Sequence, residues 1–180
     1  MADLLLHSGV VITMDAARRI LEPGWVAVTG DQISAVGGGQ DSPPDAAERV
    51  DLAGRVVLPG LVSAHQHSMD TLLRAAAYRP VDFPDWLFGV YYRGVAAMTP
   101  RDAGLAATLA VLHSQRAGIT TFCDNWGVAG GAAPEHVLAC AEATLAAYRR
   151  AGERVVVARM LGDVLPAPLA AAAQAAGVDP

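Results

Sequence analysis

A chain of 180 residues is long enough to bury one ordinary core, and its net charge of −5 argues against the basic face that nucleic acid requires. A composition of 53% hydrophobic and 17% charged residues excludes a disordered chain, and no apolar run reaches the roughly 18–20 residues of a membrane-spanning helix. No basic, apolar, small-residue leader opens the sequence, so a cytoplasmic protein is expected. The two cysteines, Cys123 and Cys140, lie in apolar segments and are expected as reduced thiols, not as a disulfide framework.

Residues 3–52 read as short strands and turns. LLLHSG and VVITMD are apolar runs, set apart from GWVAVTG and QISAVGGG by polar or glycine-bearing turns. Thr29-Gly30-Asp31-Gln32 between alternating segments signals a hairpin, and GGGQDSPPD (37–45) is a loop. Strand character resumes at Arg49–Leu52. The run from Val56 to His67 is then apolar on both faces, as a parallel strand covered by helices would be. From His67 to about Met98 the pattern is irregular, with Pro80, Pro84 and the aromatic stretch FPDWLFGVYY. Such a loop either contacts a substrate or packs as a flap on its own body.

Helix signals follow. Thr99 suits an N-cap, Pro100 the first helical position and Asp102 the first turn. Leu105, Leu109, Leu112 and Gln115 keep helical spacing, and Gly118 fits just past the end. ITTFCDN reads as a strand, Pro134–Arg150 as a helix ended by Gly152, and Arg154–Met160 as a strand. The Ala-rich tail reads as a short helix. Strand, helix, strand, helix, strand is a parallel α/β arrangement.

The chemistry concentrates at His65-Gln66-His67. Side chains at i and i+2 of a strand share a face, so His65 and His67 project together where the strand ends. Two neutral imidazoles so placed can share Zn²⁺ or a similar ion, or can be two polar residues that merely end a strand. Asp124, at the end of the second strand, either reaches the same place or caps the loop that follows it. Cys123 lacks a histidine of known proximity that would make it a nucleophile. His113 and His136 fall within helices, His7 belongs to the leading β-region, and Arg74 could orient an anion or the loop. Gly37-Gly38-Gly39 lacks the strand-then-helix setting of a dinucleotide site.

VVLPGLVSAHQHSMDTLLR, with its PG-[LF]-[IV]-x-x-H-x-H pattern, resembles the first barrel strand of the amidohydrolase superfamily. Asp85-Trp86-Leu87, Gly118-Ile119-Thr120-Thr121-Phe122 and the opening β-segment extend the likeness from about residue 3 to about residue 160. They are similar to the branch of cytosine, guanine and S-adenosylhomocysteine deaminases and triazine chlorohydrolases. The resemblance implies the first strands of an incomplete (β/α)₈ barrel over residues 56–180, preceded by part of a β-sandwich over residues 1–55. It implies His65 and His67 as ligands of Zn²⁺, or Fe²⁺, with a further His and an Asp from later strands that have no counterpart here. Metal-activated water would deaminate or dechlorinate a nitrogen heterocycle or cyclic amidine, with a Glu and a His from later strands moving protons. No catalytic residue is identifiable in this chain, and Trp86 is the expected contact to a flat heterocyclic substrate. A complete barrel needs about 250 residues. The chain is therefore expected to be part of a longer enzyme, a split enzyme or homo-oligomer needing a complementary chain, or a non-catalytic remnant, with no membrane and no nucleic acid among its partners.

Overall fold

A computed structural model describes residues 1–76, 80–127, 133–160 and 166–177. The chain divides into two compact units, Met1–Pro59 and Gly60–Pro180.

The first unit is a single sheet. β1 (Ala2–Ile12), β2 (Ile20–Thr29), β3 (Gln32–Gly38) and β4 (Ala46–Asp51) run in the order β3-β2-β1-β4, and β5 (Val56–Val57) also pairs with β1. The predicted hairpin is present: Thr29 pairs with Gln32, and Gly30 turns the chain at φ +60°. LLLHSG and VVITMD form one strand, not two. β1 carries an irregularity between Leu6 and Gly9, where Ser8 takes φ +64°, and pairing with β2 resumes beyond it. A bulge of this kind lets a strand absorb an interruption without ending. Leu5 and Ala27 are fully buried in its core, beside Ala2, Trp25, Ala35 and Ala46.

The apolar run that ends in His67 is broken. Val56–Val57 belongs to the first unit as β5, whereas Leu61–Gln66 forms β6 in the second. Leu58-Pro59-Gly60 lies between them outside either strand. Pro59 has no N–H for a ladder bond. Gly60 passes so close to Thr120 that an added Cβ would collide with the Thr120 side chain.

In the second unit β6, β7 (Ile119–Trp126) and β8 (Arg154–Arg159) form a parallel sheet in that order. The crossover from β6 to β7 contains a 3₁₀ turn (Ser68–Leu72), α1 (Phe83–Trp86), a π-helical turn (Leu87–Tyr91), α2 (Tyr92–Ala97) and α3 (Pro100–Arg116). The stretch expected to be irregular thus carries a nearly continuous helical segment over 83–97, while residues 77–79 lie outside the described residues. A local start signal accompanies it: the Asp82 side chain accepts from Asp85 N–H, and Pro84 occupies the first turn. Gly89 and Gly94, poor helix formers, mask the pattern.

α3 matches its signals, with a reciprocal capping box between Thr99 and Asp102 and Gly118 at φ +75° beyond its end. Its buried face is made of small residues, chiefly Ala103, Ala106, Ala107, Ala110 and Val111, while Leu105 and Leu112 are about half exposed at 47% and 49%. Small residues allow the close approach of α4 (Pro134–Ala151), where an added Cβ at Gly104 would sit 3.4 Å from the Ala143 carbonyl oxygen. Phe122 on β7 fills the layer between sheet and helices, against Val111, Ala147 and Tyr148. α5 (Ala167–Ala175) ends near α2, where Arg93 donates to the Ala176 carbonyl at 2.8 Å. No described helix is long and apolar enough to cross a membrane.

Phe122 is 1% exposed and meets Tyr148 edge-on, with ring centroids 5.5 Å apart. Phe122→Ala is therefore expected to cost about 3–5 kcal/mol. Denaturant unfolding followed by circular dichroism measures it, and an unchanged midpoint would contradict the packing described.

Candidate metal-binding site

β6 delivers His65 and His67 to one point. Their Nε2 atoms stand 3.1 Å apart, and the rings meet edge to face at 84°. Each Nδ1 is held by one residue of the neighbouring strand, Asn125. Its backbone carbonyl accepts from His67 Nδ1 at 2.7 Å, and its side-chain amide meets His65 Nδ1 at 2.8 Å. Outer hydrogen bonds of this kind fix the orientation of imidazoles that ligate through the other nitrogen.

A second network lies on the helix-facing side of β7. Asp124 is fully buried, and its carboxylate accepts from Ser68 N–H at 2.9 Å, Ser68 Oγ at 2.7 Å and Tyr148 OH at 2.6 Å. Ser68 directly follows His67, so this carboxylate pins the chain where it leaves the histidine pair. Among its described contacts Asp124 neither meets the histidines nor caps the loop after β7; it anchors the turn after β6 to α4. Burial and the adjacent carboxylate push the Tyr148 phenol far above its ordinary value, so it stays a donor.

Trp86 stacks on Tyr91 at 5.4 Å between centroids and on Phe83 at 6.2 Å, and Tyr91 meets His67 edge-on at 6.4 Å. The aromatic segment is thus anchored beside the histidines through Tyr91. The Tyr91 hydroxyl and Asp70 Oδ1 are buried with no hydrogen-bond partner among the described residues. Desolvation, opposed by His67 and reinforced by nearby Asp124, raises the Asp70 carboxyl above the usual range.

The other candidates separate. Arg74 and His113 line a cavity of about 390 Å³ together with Gln66, His67, Asp70 and Ser114, a neighbourhood that helix position alone does not reveal for His113. His136 on α4 contacts Cys140 Sγ at 3.6 Å, and His7 in the first unit contacts Ser8 Oγ at 2.7 Å. Cys123 and Cys140 are free thiols, Cys123 half-buried on β7 and Cys140 buried, with burial raising the Cys140 thiol. No third His, Cys, Asp or Glu completes a metal-binding group with the pair among the described residues. Sequence reasoning misses Asn125, whose only advance signal is its place after Asp124 at the end of the second strand.

The pair fits a transition ion. Two imidazole nitrogens on a tetrahedral zinc, each at 2.0–2.1 Å, stand about 3.3 Å from one another, close to the 3.1 Å found here. Both rings turn Nε2 inward, and His67 is held from behind by the Asn125 carbonyl, as ligating imidazoles are.

Residues 56–177 match the model of the amidohydrolase family, and the chain belongs to that family. It is 37% identical, over 93% of its length, to a 5-methylthioadenosine/S-adenosylhomocysteine deaminase of Syntrophobacter fumaroxidans, covering 35% of that protein. A 5′-deoxyadenosine deaminase of Methanosarcina barkeri is 33% identical over 70% of the chain and 28% of the relative. Among solved structures, the zinc complex of atrazine chlorohydrolase TrzN from Arthrobacter aurescens TC1 aligns with TM-score 0.75 and 29% identity, over 88% of this chain and 36% of that one. A zinc-bound adenosine deaminase from Xanthomonas campestris aligns with TM-score 0.73 and 28% identity, over 86% and 33%. The chain thus spans about a third of the length of these relatives, and its second unit is the opening portion of a (β/α)₈ barrel, as the resemblance implies.

Two outcomes follow from these two carboxylates, Asp124 buried and Asp70 half-buried. Asp124→Ala would strand one buried N–H and two buried hydroxyls at a cost of about 1–3 kcal/mol each, and Asp124→Asn should recover part of that loss in denaturant unfolding. For Asp70, a raised carboxyl binds more protons folded than unfolded, so stability falls as pH rises through its titration range. Asp70→Asn should therefore stabilise the chain at neutral pH, with the gain fading as pH drops below the ordinary Asp range. Thermal unfolding across pH measures this, and a gain independent of pH would contradict it.

Proposed function

We propose that this chain supplies the first metal ligands, His65 and His67, of a metal-dependent hydrolase acting on a nitrogen heterocycle. The observation that carries the reading is the convergence of their Nε2 atoms at 3.1 Å, with each Nδ1 occupied by Asn125. Zn²⁺ is the favoured ion, since two of the structural relatives are described with zinc, and Fe²⁺ suits the same imidazoles. When bound, such an ion lowers the pKa of a coordinated water towards neutrality and so supplies hydroxide at ordinary pH. The residues of this chain hold the ion, and half-buried Trp86, stacked on Tyr91 beside His67, offers aromatic surface for a flat ring.

The reaction is hydrolytic deamination, with dechlorination of a triazine as the alternative. Deamination is favoured because the curated relatives act as adenosine-type deaminases by their names. The remaining ligands and proton-transfer groups come from outside these 180 residues, either on a longer form of the chain or on a complementary chain. β6 and β8 favour that arrangement. Each pairs only with β7 among the described strands, and Val62 and Val156 on them are exposed at 71% and 63%. Residues 1–55 would form part of the β-sandwich and residues 56–180 part of the barrel, in a cytoplasmic enzyme.

Zinc titration of the purified chain tests the metal centre. Wild type is expected to bind zinc, with loss of at least about tenfold in affinity in His65→Ala and in His67→Ala. Unchanged affinity in both variants would refute it. Ammonia release from 5′-methylthioadenosine and S-adenosylhomocysteine, against chloride release from atrazine, by the chain together with its missing strands would separate the two reactions.

A further inference from the structure

α3 reverses the usual division of an amphipathic helix. Its buried face is built from small residues, Ala103, Ala106, Ala107 and Ala110 among them, while Leu105 and Leu112 are about half exposed and Leu109 is only half-buried. A surface helix ordinarily turns its large apolar residues to the core. Isolated surface leucines need no explanation, but these three recur at i, i+4 and i+7 and so form one stripe along the helix.

The stripe faces away from the sheet, from α4 and from the flank at which a barrel would continue. At about 100° per residue the leucines lie nearly opposite the sheet, and Gly104, which marks the α4 flank, is about a third of a turn away. Ala110, His113 and Ala117 mark the other flank, where they line the cavity beside β6; it too lies about a third of a turn from the stripe. Elements that extend the barrel add at the outer edges of the sheet, beside β6 and β8. They would cover that flank and leave the leucines bare.

Charges at the helix ends indicate what fits there. α3 and α4 each return between parallel strands, so they point the same way. Acidic Asp102 and Glu135 stand in their first turns, and basic Arg116, Arg149 and Arg150 in their last; Arg101, beside Asp102, runs against the pattern. A second copy packed parallel would set like charges together. Packed antiparallel, it sets each acidic end against a basic one. The leucine stripe is centred between Thr108 and Leu109, so the antiparallel arrangement also places Leu105 of one copy against Leu112 of the other, with Leu109 beside the axis. Such a patch complements itself, as a two-fold interface requires.

We propose that α3 is a self-association surface: two copies of this chain pack their α3 helices antiparallel across a two-fold axis, with Leu105, Leu109 and Leu112 as the shared seam. The proposal stands apart from the metal reading, since no residue of the seam touches the histidine pair.

Sedimentation of the 180-residue chain at concentrations on the order of 1 µM to 1 mM tests it, and a monomer–dimer equilibrium is expected. Leu105→Glu with Leu112→Glu places carboxylates in the seam and should weaken the dimer at least about tenfold with helical circular dichroism unchanged. Leu105→Ala with Leu112→Ala should act in the same direction, and decides the matter if the Glu pair fails to fold. Arg116→Glu, and raised salt on the wild type, should each weaken association; indifference to both refutes the antiparallel orientation. Because β6 and β8 each pair only with β7 among the described strands, the series is repeated in a chain carrying Val62→Lys and Val156→Lys, which block edge pairing. The dimer should survive there. A monomer throughout the range overturns the proposal, and so does a species larger than a dimer in the lysine background. Association that survives the leucine variants, or that disappears with the lysine pair alone, overturns it as well.

Discussion

The second unit depends on one buried carboxylate. Asp124 lies between the sheet and its helices, where an unsatisfied charge would be costly. It is tolerated because Ser68, through both its backbone and its hydroxyl, and Tyr148 surround it with donors. The groups so joined belong to three elements: the turn after β6, β7 itself and α4. One carboxylate therefore ties the exit of the first strand to the second strand and to the helix that follows. The imidazole pair sits between Asn125, the next residue along β7, and the loop that begins at Ser68. The geometry of the histidine pair is set by the interior of the fold.

The helical layer supports the same end with different materials. α3 approaches α4 on alanines and Gly104, while Leu105 and Leu112 look outward. Close packing of small side chains brings the two helices together over the sheet beneath them. On the other flank the aromatic segment makes a stacked series from Phe83 through Trp86 to Tyr91, and Tyr91 reaches His67. An aromatic contact that a linear reading assigns to substrate is thus also a wall of the unit. Trp86 is only partly buried, and wall and contact surface are compatible uses of one ring.

Much of this architecture is legible in the amino-acid sequence. The caps and glycines of α3, the hairpin at Gly30, the parallel order of the second unit and the shared face of His65 and His67 all follow from local patterns. Those signals work because they depend on backbone geometry over a few residues. What escapes them depends on distant pairing. Val56–His67 reads as one strand by hydrophobicity, but its halves pair with different partners, and Pro59 with Gly60 marks the change. The helical segment over 83–97 is obscured by Gly89 and Gly94, whose low propensity is overridden by the burial of Phe88, Tyr91 and Val95. Asn125 is unreadable for another reason. It matters through its distance to two histidines far earlier in the chain, 60 positions in the case of His65 and 58 in that of His67.

β7 alternates in a way that has an evolutionary consequence. Phe122, Asp124 and Trp126 are buried towards the helices, whereas Asn125 turns the opposite way, towards the histidines, and Cys123 shares its parity. From Phe122 to Trp126 the even-numbered positions are therefore answerable to folding, and Asn125 to the histidine pair. A lineage could exchange Cys123 or the Asn125 side chain while keeping the buried set intact, and so change what faces the histidines at little cost in packing. Selection for abundance alone would be blind to that drift.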